Sequence, residues 1–228
     1  MTRRSERYFV ALIGLLFAAG VFYMALPQAL SAFRTLDGVR AAADLSKGER
    51  PQPEDLRKLV RSRAGALIRG ANAVYARELS RAYHALSFSG TTETRRSAVK
   101  AAFSASAKEL RMRPLNASAW WRLAVMRARI DGRASPKGAG FLWQSVNVQP
   151  HAMTLVPIRL RAITDHWFQF TAAQREAMRD QFALAWQMDR QAVLRLAEVS
   201  RRRAVIRAGL ATRPSLLAAF EAVLAPEK

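Results

Sequence analysis

The sequence predicts an all-α protein, on three observations. No run alternates apolar and polar residues with the β-branched enrichment of a strand. Apolar residues recur instead at spacings of three and four, segment after segment, which keeps one stripe along a helix. Between these segments stand proline, glycine, threonine and aspartate, which open or close helices. With 228 residues, half of them hydrophobic, the chain is long enough for one domain with a sizeable core.

The first element is an uncharged apolar run over residues 8–26, YFVALIGLLFAAGVFYMAL. Rising about 1.5 Å per residue as a helix, it reaches roughly the hydrocarbon thickness of a bilayer. Tyr8 and Tyr23 lie near its ends, where amphipathic rings settle at headgroup level, and Pro27 follows. Arg3, Arg4 and Arg7 precede it against one acid, Glu6, the pattern of a cytoplasmic N-terminus, so the rest of the chain is expected across the membrane. Two other readings stand beside this one. Ala29, Ser31 and Ala32 are small enough for a signal-peptide cleavage site, and Arg34, Arg40, Lys47 and Arg50 after the run would suit the inverted topology. The expected organisation is a cytoplasmic N-terminus at 1–7, a single transmembrane helix as anchor at 8–31, a juxtamembrane segment and linker at 32–52, and a helical domain at 53–228.

Pro53 followed by Glu54 and Asp55 opens that domain, because proline suits the first helical turn and acids favour its positive end. A stripe through Leu56, Leu59, Val60, Leu67, Ile68, Ala71, Val74, Leu79, Tyr83 and Leu86 predicts helix over 53–86. Helix is next expected over 92–112, closed ahead of Pro114. The segment 117–130 has Asn116 or Ser118 to cap it and Gly132 to stop it. Its return arm covers 137–148, until Pro150 interrupts. Further helices are expected over 154–168, 172–188, 190–207 and 214–224, with Thr171 and Asp189 between them.

Within this array, PLNASAWWRLAVMRARIDG at 114–132 and AGFLWQSVNVQP at 139–150 set Trp120, Leu123, Ala124, Ala139, Trp143 and Pro150 in the order of a tetratricopeptide repeat. The resemblance covers about a third of the chain, and Arg127 stands where the repeat carries an aromatic residue. It implies a helical hairpin in which small residues allow close approach and the tryptophans pack, with neighbouring helices as degenerate repeats or caps. More widely, the anchor, PEDLRKLVRSRAGAL, the AWWRLAVMRARIDG helix and the stretch over 167–197 resemble single-pass accessory proteins of bacterial exopolysaccharide biosynthesis and export, the Vps-type proteins among them. That resemblance implies a scaffold beside glycosyltransferases, a flippase or a polymerase, and it assigns no catalytic residue.

Catalytic chemistry has little support in the residues. The absence of cysteine excludes disulfides, thiolate nucleophiles and covalent haem attachment. His84, His151 and His166 fall on separate segments without partners at ligand spacing, and the local acid pairs, Glu54 with Asp55 and Glu176 with Asp180, suit capping and salt bridging. No phosphate-binding glycine loop, dinucleotide fingerprint or nucleophile elbow is present. No cofactor, metal or enzyme activity is expected.

Charge carries more information. The chain has 37 Lys+Arg against 17 Asp+Glu, net +20, and Arg3, Arg4, Arg7 and Glu6 account for only +2 of it. Arginine dominates, and its guanidinium grips carboxylates and phosphates bidentately. Concentrations lie at 57–81, 111–133 and 190–213, where the helix faces are expected to be solvated and positive. Candidate contacts for an anion or partner are Arg127, Arg129 and the run Arg201, Arg202 and Arg203. A compositional bias that fills solvated positions with arginine would produce the same excess without a ligand. A helix-turn-helix frame at 181–207 lacks a clear turn glycine and base-reading amides, which disfavours nucleic acid. The tryptophans are expected to pack in the core, with Trp121 the one whose phase leaves it outward.

The expected protein is therefore a non-enzymatic scaffold or accessory protein of envelope or exopolysaccharide assembly. It would sit in the bacterial inner membrane with its helical domain extracytoplasmic. Its partners would be proteins of that complex, an anionic glycan or lipid. The alternative is a cytoplasm-facing basic module that tethers nucleic acid or anionic lipid.

Overall fold

The computed structural model describes residues 3–69 and 72–224, with the backbone alone at 3–11, 27–28, 31–32, 34–35 and 69. Among the described residues there are twelve α-helices, one short 3-10 helix and no strand.

Helix α1 (Arg3–Thr35) runs unbroken through the apolar segment and Pro27. From Leu12 to Met24 its large apolar side chains are more than half exposed, and they lie all round the helix, Leu15, Phe17, Phe22 and Tyr23 among them. No helix is long and apolar enough to cross a membrane among the described residues. The expected 8–31 anchor begins with Tyr8 to Ala11, whose side chains lie outside the described residues, as do those of the Arg3, Arg4 and Arg7 flank.

The expected linker is in part a helix. Helix α2 (Val39–Lys47) is bounded by Gly38 and Gly48, both left-handed, and it buries Ala41 against Leu56, Leu59 and Ala82. A Cβ on Gly38 would fall 2.5 Å from the Leu59 Cα, so only glycine lets the chain pass this close to α3 (Pro53–Arg69). The helical domain thus begins near residue 38. The helix expected over 53–86 is two: α4 (Ala73–Leu86) starts anew because the Asn72 carboxamide oxygen accepts from the Val74 and Tyr75 amides. Ala71, counted in the continuous stripe, lies outside the described residues.

Helices α5 (Thr92–Met112), α6 (Ala117–Asp131) and α7 (Pro136–Val148) follow near their predicted bounds. Asn116 is the residue that caps α6, and Ser135 caps α7 ahead of Pro136. From α3 to α7 each helix packs chiefly on the next, the neighbour-on-neighbour order of a helical hairpin array. Ala117, Ala119, Ala124 and Ala139, all fully buried, let α6 and α7 approach, and the Ser145 hydroxyl donates to the Ala117 carbonyl at 2.7 Å.

The order changes after α7. Helix α8 (Val156–His166) leads through a 3-10 turn (Trp167–Gln169) to α9 (Ala172–Met188), opened by a reciprocal Thr171–Gln174 capping box. The helix expected over 190–207 is broken into α10 (Arg190–Ala197) and α11 (Ser200–Leu210), and α12 (Pro214–Leu224) closes the fold. Here α9 touches α8, α10 and α11 together, so this half is a small bundle around Phe182, Trp186, Ile206 and Phe220.

Gly209 sets the α9–α11 distance, since a Cβ there would lie 2.5 Å from the Phe182 ring, itself fully buried and edge-on to Trp167. Gly209→Ala is expected to destabilise by roughly 1–3 kcal/mol through overpacking. Thermal unfolding of the full chain in mild detergent reads this, and an unchanged midpoint would mean that the ring yields.

Candidate anion-binding groove

Arginine meets two fates in this fold. Some guanidinium groups expected on solvated faces are buried. Arg63 is 3% exposed and pairs with Glu78. Arg122 on α6 reaches Glu109 on α5 at 2.6 Å and donates to the Ser80 hydroxyl on α4 at 2.8 Å, while the Asn116 amide donates to the other Glu109 oxygen at 2.6 Å. Arg159, fully buried, donates to the Ser145 hydroxyl at 3.1 Å and to the carbonyls of Ser145 and Gln149 at 2.5 and 2.9 Å. It therefore sits on the negative end of α7, and burial lowers its pKa to about 10.

Six others line a groove of about 1340 Å³ where the hairpin array meets the C-terminal bundle. Its walls come from the end of α4, the outward face of α6, α8, and the α10–α11 junction. Arg129, Arg133, Arg161, Arg195, Arg201 and Arg202 line it, with Asp165 as the single acid. Arg202 holds Asp165 at 3.0 and 3.4 Å, and Arg195 comes within 4.0 Å of Asp189. Arg133, Arg161 and Arg201 are exposed and make no ion pair among the described residues. The excess positive charge thus faces open space from several helices at once, where low-dielectric walls strengthen its field.

Of the five arginines expected as contacts, the fold brings Arg129, Arg201 and Arg202 to this groove and leaves two elsewhere. Arg127 pairs with Asp131 one turn along α6 at 2.7 Å. Arg203 donates to the Ala197 carbonyl at 2.9 Å and finishes α10. Arg129 donates to the Ser87 hydroxyl and carbonyl and lies 4.5 Å over the Phe88 ring, while Arg201 lies 5.7 Å over Phe168. Arg161 belongs to none of the three sequence concentrations. It enters the groove because α8 crosses beside α6, which no local signal announces.

The hairpin residues are distributed unevenly. Leu123, Ala124 and Ala139 are buried. Trp120 and Trp143 are half-buried; Trp120 packs by Phe141 and donates to the Pro114 carbonyl at 2.8 Å. Pro150 is exposed, and its carbonyl accepts from Gln181 at 2.8 Å. Trp121 is half-buried in the groove wall with His84 stacked on it at 5.3 Å. Trp167 and Trp186 are the deeply buried pair.

Two of the histidines, His84 and His166, line the groove, and His151 does not. His151 is exposed, and His166 is buried with Nδ1 2.9 Å from the Ala162 carbonyl and Nε2 against Gly138. No group of three His or carboxylates could hold a metal ion among the described residues. Burial first, then Arg122 and Arg129, push the His84 pKa down to about 4 from the usual 6.5. Between those values the unfolded chain takes up a proton that the folded chain refuses. Stability is therefore full above about pH 6.5 and falls as pH drops toward 4, by on the order of 3 kcal/mol. His84→Gln should flatten this slope in thermal unfolding followed from pH 7 to 4.5, and an identical slope in the variant would assign it to other groups.

In comparison with known proteins the chain matches no family, no curated protein and no solved structure, so its reading rests on the helical array and the groove themselves.

Proposed function

We propose that this chain is a non-enzymatic scaffold, held to the bacterial inner membrane by α1, whose helical domain stands on the extracytoplasmic side and recruits an anionic partner of envelope or exopolysaccharide assembly. The observation that carries it is the groove, six arginines against one aspartate on a surface built by four separate helical segments. Exposed arginines stand on other faces too, Arg57, Arg61, Arg96, Arg111 and Arg190 among them; what supports the reading is that the groove gathers its cations from separate helical segments around one acid.

The anchor is supported by α1. A Leu or Phe left exposed forgoes roughly 1.5–3 kcal/mol relative to burial. A helix with such residues on all sides has no face to turn to water, and lipid is the surrounding that satisfies every side. The orientation rests on Arg3, Arg4 and Arg7 ahead of the run, and the polysaccharide context on the architectural resemblance alone.

Membrane fractionation with a reporter fused after Lys228 tests this reading. The full chain is expected in the membrane fraction, resistant to high salt and released by detergent, with a reporter active only outside the cytoplasm. Release by salt would mean that charge alone holds the protein. A cytoplasmic reporter would make the groove a tether for nucleic acid or anionic lipid.

A further inference from the structure

The groove is not lined by charge alone. On the α10 side Ala192, Arg195 and Leu196 follow one another at i, i+3 and i+4 on the helix face turned to the groove, and Val199, in extended backbone just past the end of α10, adds to the same wall. On α6, Trp121, Val125, Ala128 and Arg129 form a second such stripe, and on α8 Ile158 and Arg161 form a third. Ile158 is 42% exposed and Val199 48%. Three helices thus bring mixed aliphatic and arginine side chains to one groove.

We propose that the groove is the docking site for an acidic amphipathic helix of a partner protein, with its aliphatic face on Ile158, Leu196 and Val199 and its carboxylates on Arg133, Arg161 and Arg201. This deepens the scaffold reading of the same groove and rests on it. The size fits. A helix about 10–12 Å across that rises 1.5 Å per residue fills roughly 120–170 Å³ per residue. A groove of this size, open on one side, takes a helical segment of a few turns and not a whole domain.

Other polyanions match the charge but not the rest. A single-stranded nucleic acid needs a row of free aromatic faces for its bases, whereas Trp121 lies between the core and His84 and Phe88 has only the face opposite Arg129 to offer. An acidic polysaccharide would leave the exposed aliphatic side chains in contact with hydroxyl groups. An amphipathic acidic helix satisfies both halves of the lining at once.

The test uses the full chain in nanodiscs of zwitterionic lipid and fluorescence anisotropy. The probe is a labelled helical peptide of about twelve residues with leucines on one face and glutamates on the other. Competitors are a scrambled peptide of the same composition, polygalacturonate, and a single-stranded oligonucleotide of matched charge. The amphipathic peptide is expected to bind at least about tenfold more tightly than the scrambled one. Arg161→Gln with Arg201→Gln should weaken it about tenfold and reduce its salt dependence, and Ile158→Ser should weaken it about as much at unchanged salt dependence. Arg96→Gln, on the exposed start of α5, should change nothing. Val199→Ser replaces Ile158→Ser if the latter unfolds.

Equal binding of the two peptides, or indifference to both aliphatic variants, overturns the helix. If polygalacturonate binds the groove and the peptide does not, the partner is a glycan and the scaffold reading survives without this inference. Tighter binding of the oligonucleotide overturns both in favour of a nucleic-acid tether. No binding by any probe removes the groove as a recruiting site altogether.

Discussion

Glu109→Gln is expected to destabilise the protein by about 3–5 kcal/mol. Glu109 is fully buried and Arg122 is 4% exposed, so neither charge has water to turn to. Their pairing, with Ser80 and Asn116 filling other positions, is what makes both tolerable in the core. The substitution keeps the shape and removes the charge, which leaves the guanidinium buried without a counter-ion. The double variant Glu109→Leu with Arg122→Met is expected to cost less than either single change, because it removes both desolvation penalties together. Thermal or urea unfolding of Glu109→Leu, Arg122→Met and their double variant gives the coupling directly. If the two single losses simply add, the residues are independent and the pair does not join α5 to α6.

Arg159→Met is the second large effect, about 3 kcal/mol of destabilisation. Two influences oppose each other there. Burial of a cation with no carboxylate is unfavourable, and its lowered pKa records that. Against it stand three charge-assisted hydrogen bonds, and the carbonyls of Ser145 and Gln149 belong to the unsatisfied end of α7. Methionine fills the space but donates nothing, so buried acceptors at that end lose their partner. The bonds outweigh the burial because each orphaned acceptor costs roughly 1–3 kcal/mol. Arg159→Lys, which keeps the charge without the planar fork, should recover part of the loss. A Met variant as stable as the parent would show that relief of burial offsets the lost bonds.

The fold class and most helix boundaries were legible in the sequence because they depend on local chemistry. Asn116, Thr171 and Asp189 cap the helices they precede through their own side chains, and Glu54 and Asp55 lie in the first turn of α3. Glu176 pairs with Arg179 one turn away. The errors were also local in origin. Apolar periodicity ran unbroken across Asn72 and across the α10–α11 junction, so two helices read as one in both places. Helix α2 was hidden in a charged, glycine-flanked stretch whose one buried side chain is an alanine.

The candidate site was legible only in its ingredients. Arginine excess named the chemistry, but the residue type alone could not separate Arg122 and Arg159 in the core from Arg161 and Arg201 in the groove. Nor could adjacency help: in the run Arg201, Arg202, Arg203, one lies exposed over the Phe168 ring, one holds Asp165 and one finishes α10. Sequence by itself determined what forms within a few residues, namely helices, caps and the apolar face of each. Tertiary structure alone decided which arginine is a structural cation and which is free to meet a ligand, because the partners of a guanidinium, Glu109 for Arg122 or the end of α7 for Arg159, come from helices that only packing brings within reach.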